Sequence, residues 1–257
     1  MSPDQLGVVV LIVYAIVVVA LVSKSVRRCR DGWGVWLLYC IERLYVPLMF
    51  RWRSNSARCP LPATGGAIVI SNHRTSIDPL LVWMNHHLRS ESREIRVVGF
   101  LTAAEYCDIP GLRWLVRTMR SIPVNRDGKD MAATREAIHR LRDGQMIGIF
   151  PEGKLNYGTD LIEGNSGVAF LALKAEVPVY PVFIHDAPQC GDDMTAPFMT
   201  PSRVRVSYGP PIDLSEYFGR RNSQELLIEV SNLLMSRLAE VGGVGFTPVG
   251  KPTADAS

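Results

Sequence analysis

The sequence predicts an α/β domain: a mostly parallel central sheet flanked by helices, preceded by an N-terminal membrane-anchoring helix. Three observations carry this expectation. From residue 64 onward, short β-branched runs alternate with helical stretches, the pattern of a layered fold around a parallel sheet. Seventeen residues, Leu6 to Val22, carry no charge. The length of 257 residues holds one sizeable domain and a short appendage.

The anchor comes first, over residues 1–25. The run LGVVVLIVYAIVVVALV spans roughly 25 Å at about 1.5 Å per residue, the short end of what crosses a bilayer. A single pass and a re-entrant helix both fit. A cleaved signal peptide would want a basic start and a small-x-small cleavage site. Here the start is Met-Ser-Pro-Asp, and Lys24, Arg27, Arg28 and Arg30 lie on the far side. That flank predicts an uncleaved anchor with the main domain on the cytoplasmic side.

Residues 26–60 read as an interfacial, amphipathic linker. Trp33 to Phe50 is apolar but contains Glu42, Arg43 and Pro47, which argues against a second span. Its Trp, Tyr and Arg residues suit the headgroup zone, and its composition equally suits a helix of the domain core. Between Lys24 and Arg58 there are eight basic and two acidic residues. A positive cluster beside an apolar segment points to an anionic membrane surface as partner. Nucleic acid is not implied, because its binders carry their basic residues on the folded domain itself.

The folded domain is expected over residues 61–241. Strands are read at Ala67–Ser71, Ile95–Leu101, Met146–Phe150, Val179–Ile184 and Arg203–Tyr208. Helices are read at Pro79–Arg89, Gly111–Met119, Met131–Arg142, Gly167–Ala175 and Ser223–Val241. The tail, 242–257, is rich in Gly, Pro and small residues and reads as disordered. Five cysteines, an odd number without CxxC spacing, argue against a disulfide framework or a zinc site. The five histidines form no HExxH or comparable set, so no metal is expected.

Two motifs carry chemistry. The first strand runs into Ser71-Asn72-His73-Arg74-Thr75-Ser76-Ile77-Asp78-Pro79, delivering His73 to a loop that ends where Asp-Pro opens a helix. The loop lets imidazole and carboxylate meet. An alcohol is a poor nucleophile until a base takes its proton, and neutral imidazole does this near pH 7. A carboxylate on the other ring nitrogen fixes the tautomer and stabilises the imidazolium. The bland reading is a loop histidine and a helix-capping aspartate. The second motif is Gly148-Ile149-Phe150-Pro151-Glu152-Gly153-Lys154, where a buried strand ends in a turn. Its carboxylate suits a polyol hydroxyl or a neighbouring basic group, and Gly153 permits close backbone approach. The same residues match GxxxxGK, but Leu155 stands where a nucleotide loop needs Ser or Thr, and Glu152 puts negative charge in a phosphate cradle.

Taken in order, these blocks resemble the glycerolipid acyltransferase family, which contains the 1-acyl-glycerol-3-phosphate acyltransferases. Asn72-His73 through Asp78 is similar to its NHxxxxD motif. Ser121-Ile122-Pro123-Val124-Asn125-Arg126 is similar to its second block, and Phe150-Pro151-Glu152-Gly153 to FPEG. Val177-Pro178-Val179-Tyr180-Pro181-Val182 resembles the VPxxPV block, and Gly167 to Ala172 the GxxxLA helix. The resemblance covers roughly residues 64–210 and makes 61–241 an acyltransferase domain.

It implies a fatty acyl transfer from acyl-CoA or acyl-carrier protein, as co-substrate, to a hydroxyl of a lysophospholipid-type membrane lipid, 1-acyl-glycerol-3-phosphate above all. No cofactor is implied. His73 and Asp78 would be catalytic, and Asn72, Arg126, Glu152, Gly153 and Lys154 would bind substrate. Lys154-Leu155-Asn156 stands where the family often has Thr-Arg-Ser, and no lysine precedes Glu105. A different lipid acceptor therefore stays open, as does a non-catalytic membrane-associated binding module. A serine hydrolase would need GxSxG, which does not occur. The oligomeric state is not legible.

Overall fold

The computed structural model describes residues 2–29, 31–89, 94–125, 130–191 and 193–250. Two helices lead, α1 (Pro3–Val26) and α2 (Trp33–Phe50). The body follows as β1 (Arg53–Ser54), β2 (Ala67–Ser71), α3 (Asp78–Trp83), β3 (Val98–Ala103), α4 (Leu112–Thr118), β4 (Ile122–Val124) and α5 (Met131–Arg142). Then come β5 (Met146–Ile149), α6 (Gly167–Ala175), β6 (Val179–His185), α7 (Ala196–Met199), β7 (Arg205–Tyr208) and α8 (Gln224–Gly242).

Seven strands form one sheet in the order β1-β7-β6-β2-β5-β3-β4. The five from β6 to β4 are parallel, while β7 runs antiparallel to β6 and parallel to β1. The strand β2 lies at the centre with every residue buried. Its side chains alternate, as a pleat demands. Ala67 and Val69 join a core that includes Leu38 and Val46 of α2 and Leu81 of α3. Ile68 and Ile70 join a core with Ala137 of α5, Ala169 of α6 and Leu234 of α8. The sheet is thus covered on both faces, as parallel strands require.

The helix α1 opens on a capping box, with Ser2 accepting from the Gln5 amide and the Gln5 side chain accepting from the Ser2 amide. The helical run Asp4–Val26 is long and apolar enough to cross a membrane, and none of it is buried against the body. The helix α2 does two things at once. Val35, Leu38, Val46 and Phe50 enter the core, together with Glu42, whose carboxyl burial pushes well above its usual range. The opposite stripe, Trp33, Leu37, Ile41, Leu44 and Leu48, stays exposed. The core expectation for this helix therefore holds for one face, and the opposite face is solvent-exposed.

Differences from the expected elements are local. The stretch Pro79–Arg89 does not continue as one helix: α3 tightens after Trp83 into a 3-10 turn over Met84–His87. Residues 243–250, expected to be disordered, are held to the body. Gly245 donates to Asp160 and accepts from Leu161, Asn232 exchanges two hydrogen bonds with Val249, and Phe246 packs on the α5–α8 core. Residues 251–257 lie outside the described residues.

Candidate active site

The carboxyl ends of β2, β5 and β6 meet at one edge of the sheet, where α/β folds build their sites. A cleft of about 210 Å³ among Gly65, Arg96, Arg120 and Gln145 lies at the opposite edge, before β3 and β5 begin. There Arg96 donates to the carbonyls of Pro62, Gly65 and Gly144 and ties the loops together. That cleft belongs to the scaffold.

The loop after β2 brings His73 and Asp78 together, with Nδ1 of the ring 2.9 Å from Oδ2. The same Oδ2 accepts from the backbone N–H groups of Arg74, at 2.7 Å, and Thr75, at 2.8 Å. Sequence reasoning makes Asp78 the cap of α3, but the geometry differs. Asp78 is itself the first helical residue, Ile77 sits at the cap, and no side chain caps the helix. The carboxylate turns back toward its own loop and is fully buried. An oxygen already accepting two N–H bonds is an acceptor for the imidazole too, so the proton sits on Nδ1 and Nε2 keeps a free lone pair. The His73 side chain is 22% exposed, enough to meet a substrate.

The ring is held from one side by an aromatic stack. His73 lies on Phe150, with centroids 4.1 Å apart and planes 10° apart, and Phe150 lies on Phe100 at 5.0 Å. The stack explains Gly148. A Cβ there would meet the Phe100 ring at 2.4 Å, so only glycine lets Phe100 lie against β5. Phe150 is therefore a site residue that motif reading quotes without a role.

The five expected substrate-binding residues fare differently. Asn72 is fully buried, and its amide bonds the backbone of Ile184 twice, accepting at 2.7 Å and donating at 3.0 Å. It braces β2 to β6 with both amide atoms committed to backbone, which corrects the expected substrate-binding role. Glu152 is also buried. One oxygen accepts from the His73 backbone N–H at 3.0 Å, and the other from the Asn156 side chain and from Ile162 N–H. Its carboxylate is occupied by the protein itself and fixes the loop that carries His73, again correcting the expected substrate contact. Gly153, at φ +68°, takes the left-handed conformation that glycine adopts without strain, and is exposed. Lys154 is exposed beside it. Arg126 lies outside the described residues.

Arg74 was not predicted. Its guanidinium is buried and donates to the carbonyls of Asn156 and Thr159, both at 2.9 Å. Asn156 N–H in turn donates to the His73 carbonyl at 2.8 Å. Residues 154–160 are thus stitched beneath the base. No local pattern announces this, because the partners are some 80 residues apart.

The occupied carboxylate has a testable consequence. Glu152→Gln keeps one acceptor oxygen but turns an NH₂ toward either the Asn156 NH₂ or the His73 N–H. Loss of the buried bond should cost about 1–3 kcal/mol of stability. The displaced base should lower turnover by roughly 10²-fold, the effect of an ångström-scale misplacement. A thermal melt and kcat on the same preparation check both.

Residues 55–185 match the family model described as Acyltransferase, just over half of the chain. A 1-acyl-sn-glycerol-3-phosphate acyltransferase of Borreliella burgdorferi is 30% identical over 130 residues, 49% of this chain and 48% of that protein. The 1-acyl-sn-glycerol-3-phosphate acyltransferase alpha of Mus musculus is 25% identical over 155 residues, 59% of this chain and 51% of that protein. The chain thus spans about half the length of these relatives. The crystal structure of the 1-acyl-sn-glycerophosphate (LPA) acyltransferase PlsC from Thermotoga maritima superposes with a TM-score of 0.58 at 22% identity, covering 83% of each chain, a likeness of fold. The matched region contains both the imidazole–carboxylate loop and the turn that holds it, and by that match the chain belongs to the Acyltransferase family.

Proposed function

We propose that this protein is a membrane-associated O-acyltransferase that moves a fatty acyl group from acyl-CoA or acyl-carrier protein to the free hydroxyl of 1-acyl-glycerol-3-phosphate. The observation that carries the reading is the 2.9 Å contact between His73 Nδ1 and the buried Asp78 carboxylate. Nε2 takes the hydroxyl proton as oxygen attacks the thioester carbonyl. The tetrahedral intermediate collapses, the carbon–sulfur bond breaks, and the thiolate takes the proton back from the imidazolium. The acceptor is the nucleophile, so no acyl-enzyme forms. Asp78 holds the ring and stabilises its cationic form.

Lys154, exposed at the turn next to the base, and Arg126 supply charge for the acceptor phosphate. The relatives named for 1-acyl-sn-glycerol-3-phosphate support this choice of acceptor. The exposed apolar α1, with Lys24 in its last turn and Arg27 and Arg28 just after it, supports anchoring with the domain on the cytoplasmic side. Both the acceptor and the product are then within the same bilayer as the enzyme.

Protein reconstituted in vesicles, given a mixture of lysolipids and either labelled acyl-CoA or acyl-carrier protein, tests this by mass spectrometry of the products. The expected main product is phosphatidic acid, formed at least about tenfold faster than products of acceptors lacking a terminal phosphate, a preference of roughly 1.4 kcal/mol. Faster acylation of a phosphodiester lysolipid would overturn the acceptor; absence of any O-acyl product would overturn the reaction.

A further inference from the structure

Three basic side chains stand in one row across the β1 edge of the sheet. Arg53 of β1 is paired with Arg205 of β7, and Arg205 is paired with His185 of β6. Paired residues on neighbouring strands project from the same face, and at about 4.8 Å per strand the row spans roughly 10 Å. Arg203 alternates with the buried Val204 and Val206, as Arg205 does, and so extends the row on the same face. Arg53, Arg203 and Arg205 are all exposed, and among the described residues no ion pair joins any of them to a carboxylate. Like charges placed opposite each other weaken a ladder, so this row costs the fold something when nothing lies on it. Burial and then the Arg205 charge hold the His185 imidazole below its usual range, against the opposing pull of Asp186 beside it. Its Nε2 lies 3.0 Å from the Ser207 hydroxyl, and its ring leans on Phe183 at 4.8 Å. With that hydroxyl donating to Nε2, the neutral ring carries its proton on Nδ1 and offers a donor there.

We propose that Arg53, Arg205 and His185 form a second anion site, separate from the His73 loop, that binds a phosphate dianion. Two guanidinium forks side by side present paired N–H groups to a tetrahedral oxyanion, and the imidazole adds a third donor. A carboxylate has one charge and two oxygens for this row, and chloride has no geometry to match it. The row lies at the carboxyl end of β6, the end of the sheet that carries His73, but on the other face. Phe183, on the His185 side of β6, belongs to the α5–α8 core, whereas Phe150 beneath His73 packs on the α2–α3 core. A phosphate held there is therefore not the phosphate of an acceptor whose hydroxyl meets His73. Inorganic phosphate, the 3′-phosphate of coenzyme A and the headgroup of phosphatidic acid all carry the chemistry that the row selects.

The test uses the full chain in phosphatidylcholine vesicles, whose headgroups carry no phosphate dianion, and phenylglyoxal, which modifies accessible arginines. Peptide mass spectrometry reads the modification residue by residue, with the exposed Arg221 as reference. Inorganic phosphate should slow modification of Arg53 and Arg205 about tenfold relative to chloride at the same ionic strength, the scale of a charge-assisted hydrogen bond. Arg221 should not change. In Arg205→Gln, Arg53 should lose its protection although it is still present, because the ligand is shared. Arg205→Lys keeps the charge without the fork and should protect Arg53 only in part. Without phosphate, Arg205→Gln should melt no lower than the wild type, since it removes a like-charge pair; lost protection is then not unfolding. Free coenzyme A, or vesicles containing phosphatidic acid, replaces inorganic phosphate in two further arms, and the probe that protects at the lowest concentration identifies the source. Equal protection by chloride and phosphate would overturn the site, and so would protection of Arg53 that persists in Arg205→Gln. None of these measurements needs turnover, so their outcome is separate from that of the acyltransfer reading.

Discussion

Replacing His73 with alanine is expected to lower kcat by about 10²–10⁴-fold, the contribution of a positioned general base, with the acceptor KM changed little. Chemically, the hydroxyl must lose its proton as it attacks, and the imidazole is placed for this by the carboxylate on Nδ1 and by the Phe150 ring beneath it. As the proposed base, the ring would meet the reacting oxygen rather than the headgroup, so binding should survive its loss. Structurally, the substitution removes one stacked contact and one hydrogen bond from a partly exposed side chain. That costs about 1–3 kcal/mol in all, or some 2–4 °C of Tm for each kcal/mol in a chain of this size. A melt about 2–12 °C below that of the wild type, still well folded at assay temperature, beside collapsed turnover is the expected pair of results. Full turnover by the alanine variant would remove His73 as the base. An acyl adduct on the wild-type protein, seen by intact mass, would mean a covalent route instead of direct transfer.

Much of this arrangement is legible in the sequence, and what is not legible has a common cause. The strand Ala67–Ser71 and the helices Met131–Arg142 and Gly167–Ala175 fall where periodicity puts them, because each is long enough to bury a regular face. The edge strands Arg53–Ser54 and Ile122–Val124 are two and three residues long, and the second contains Pro123. Such strands exist through their neighbours, Arg205–Val206 and Leu101–Ala103, rather than through their own pattern. The site follows the same division. The His73–Asp78 pair is five residues apart and could be read locally. The roles of Asn72, Arg74 and Glu152 are set by partners 112, 82–85 and 79 residues away. Motif position alone makes Asn72 and Glu152 substrate ligands. Their burial and their hydrogen bonds make them the frame around the base. The motif is thus shared between chemistry and scaffolding, and only the spacing of the two chemical members is visible in one dimension.

Asp78→Asn separates a catalytic partner from a helix cap. Asparagine and aspartate cap helices almost equally well, so a purely capping Asp78 would tolerate the change. The structure removes the cap from consideration, since the carboxylate faces Arg74 N–H, Thr75 N–H and the His73 ring rather than the first turn of α3. An amide oxygen can still accept from the two backbone groups. The NH₂, or the uncharged oxygen, then faces Nδ1. Where the NH₂ faces it, Nδ1 must act as acceptor and the proton moves to Nε2, the nitrogen that needs its lone pair. Where the oxygen faces it, the imidazolium formed during transfer has lost its counter-charge. On either arrangement kcat should fall by about 10³–10⁴-fold, the scale of the same substitution in a serine protease triad. The cost in stability should be smaller, about 1.5–3 kcal/mol for bonds that lose their ionic character. Asp78→Ala adds unpaired buried N–H groups at Arg74 and Thr75 and should melt lower still. The ordering of Tm, wild type above Asn above Ala, with turnover already lost at Asn, is the signature of a buried carboxylate that serves the base first and the loop second. Turnover retained in Asp78→Asn would reduce it to loop architecture and leave His73 without a partner.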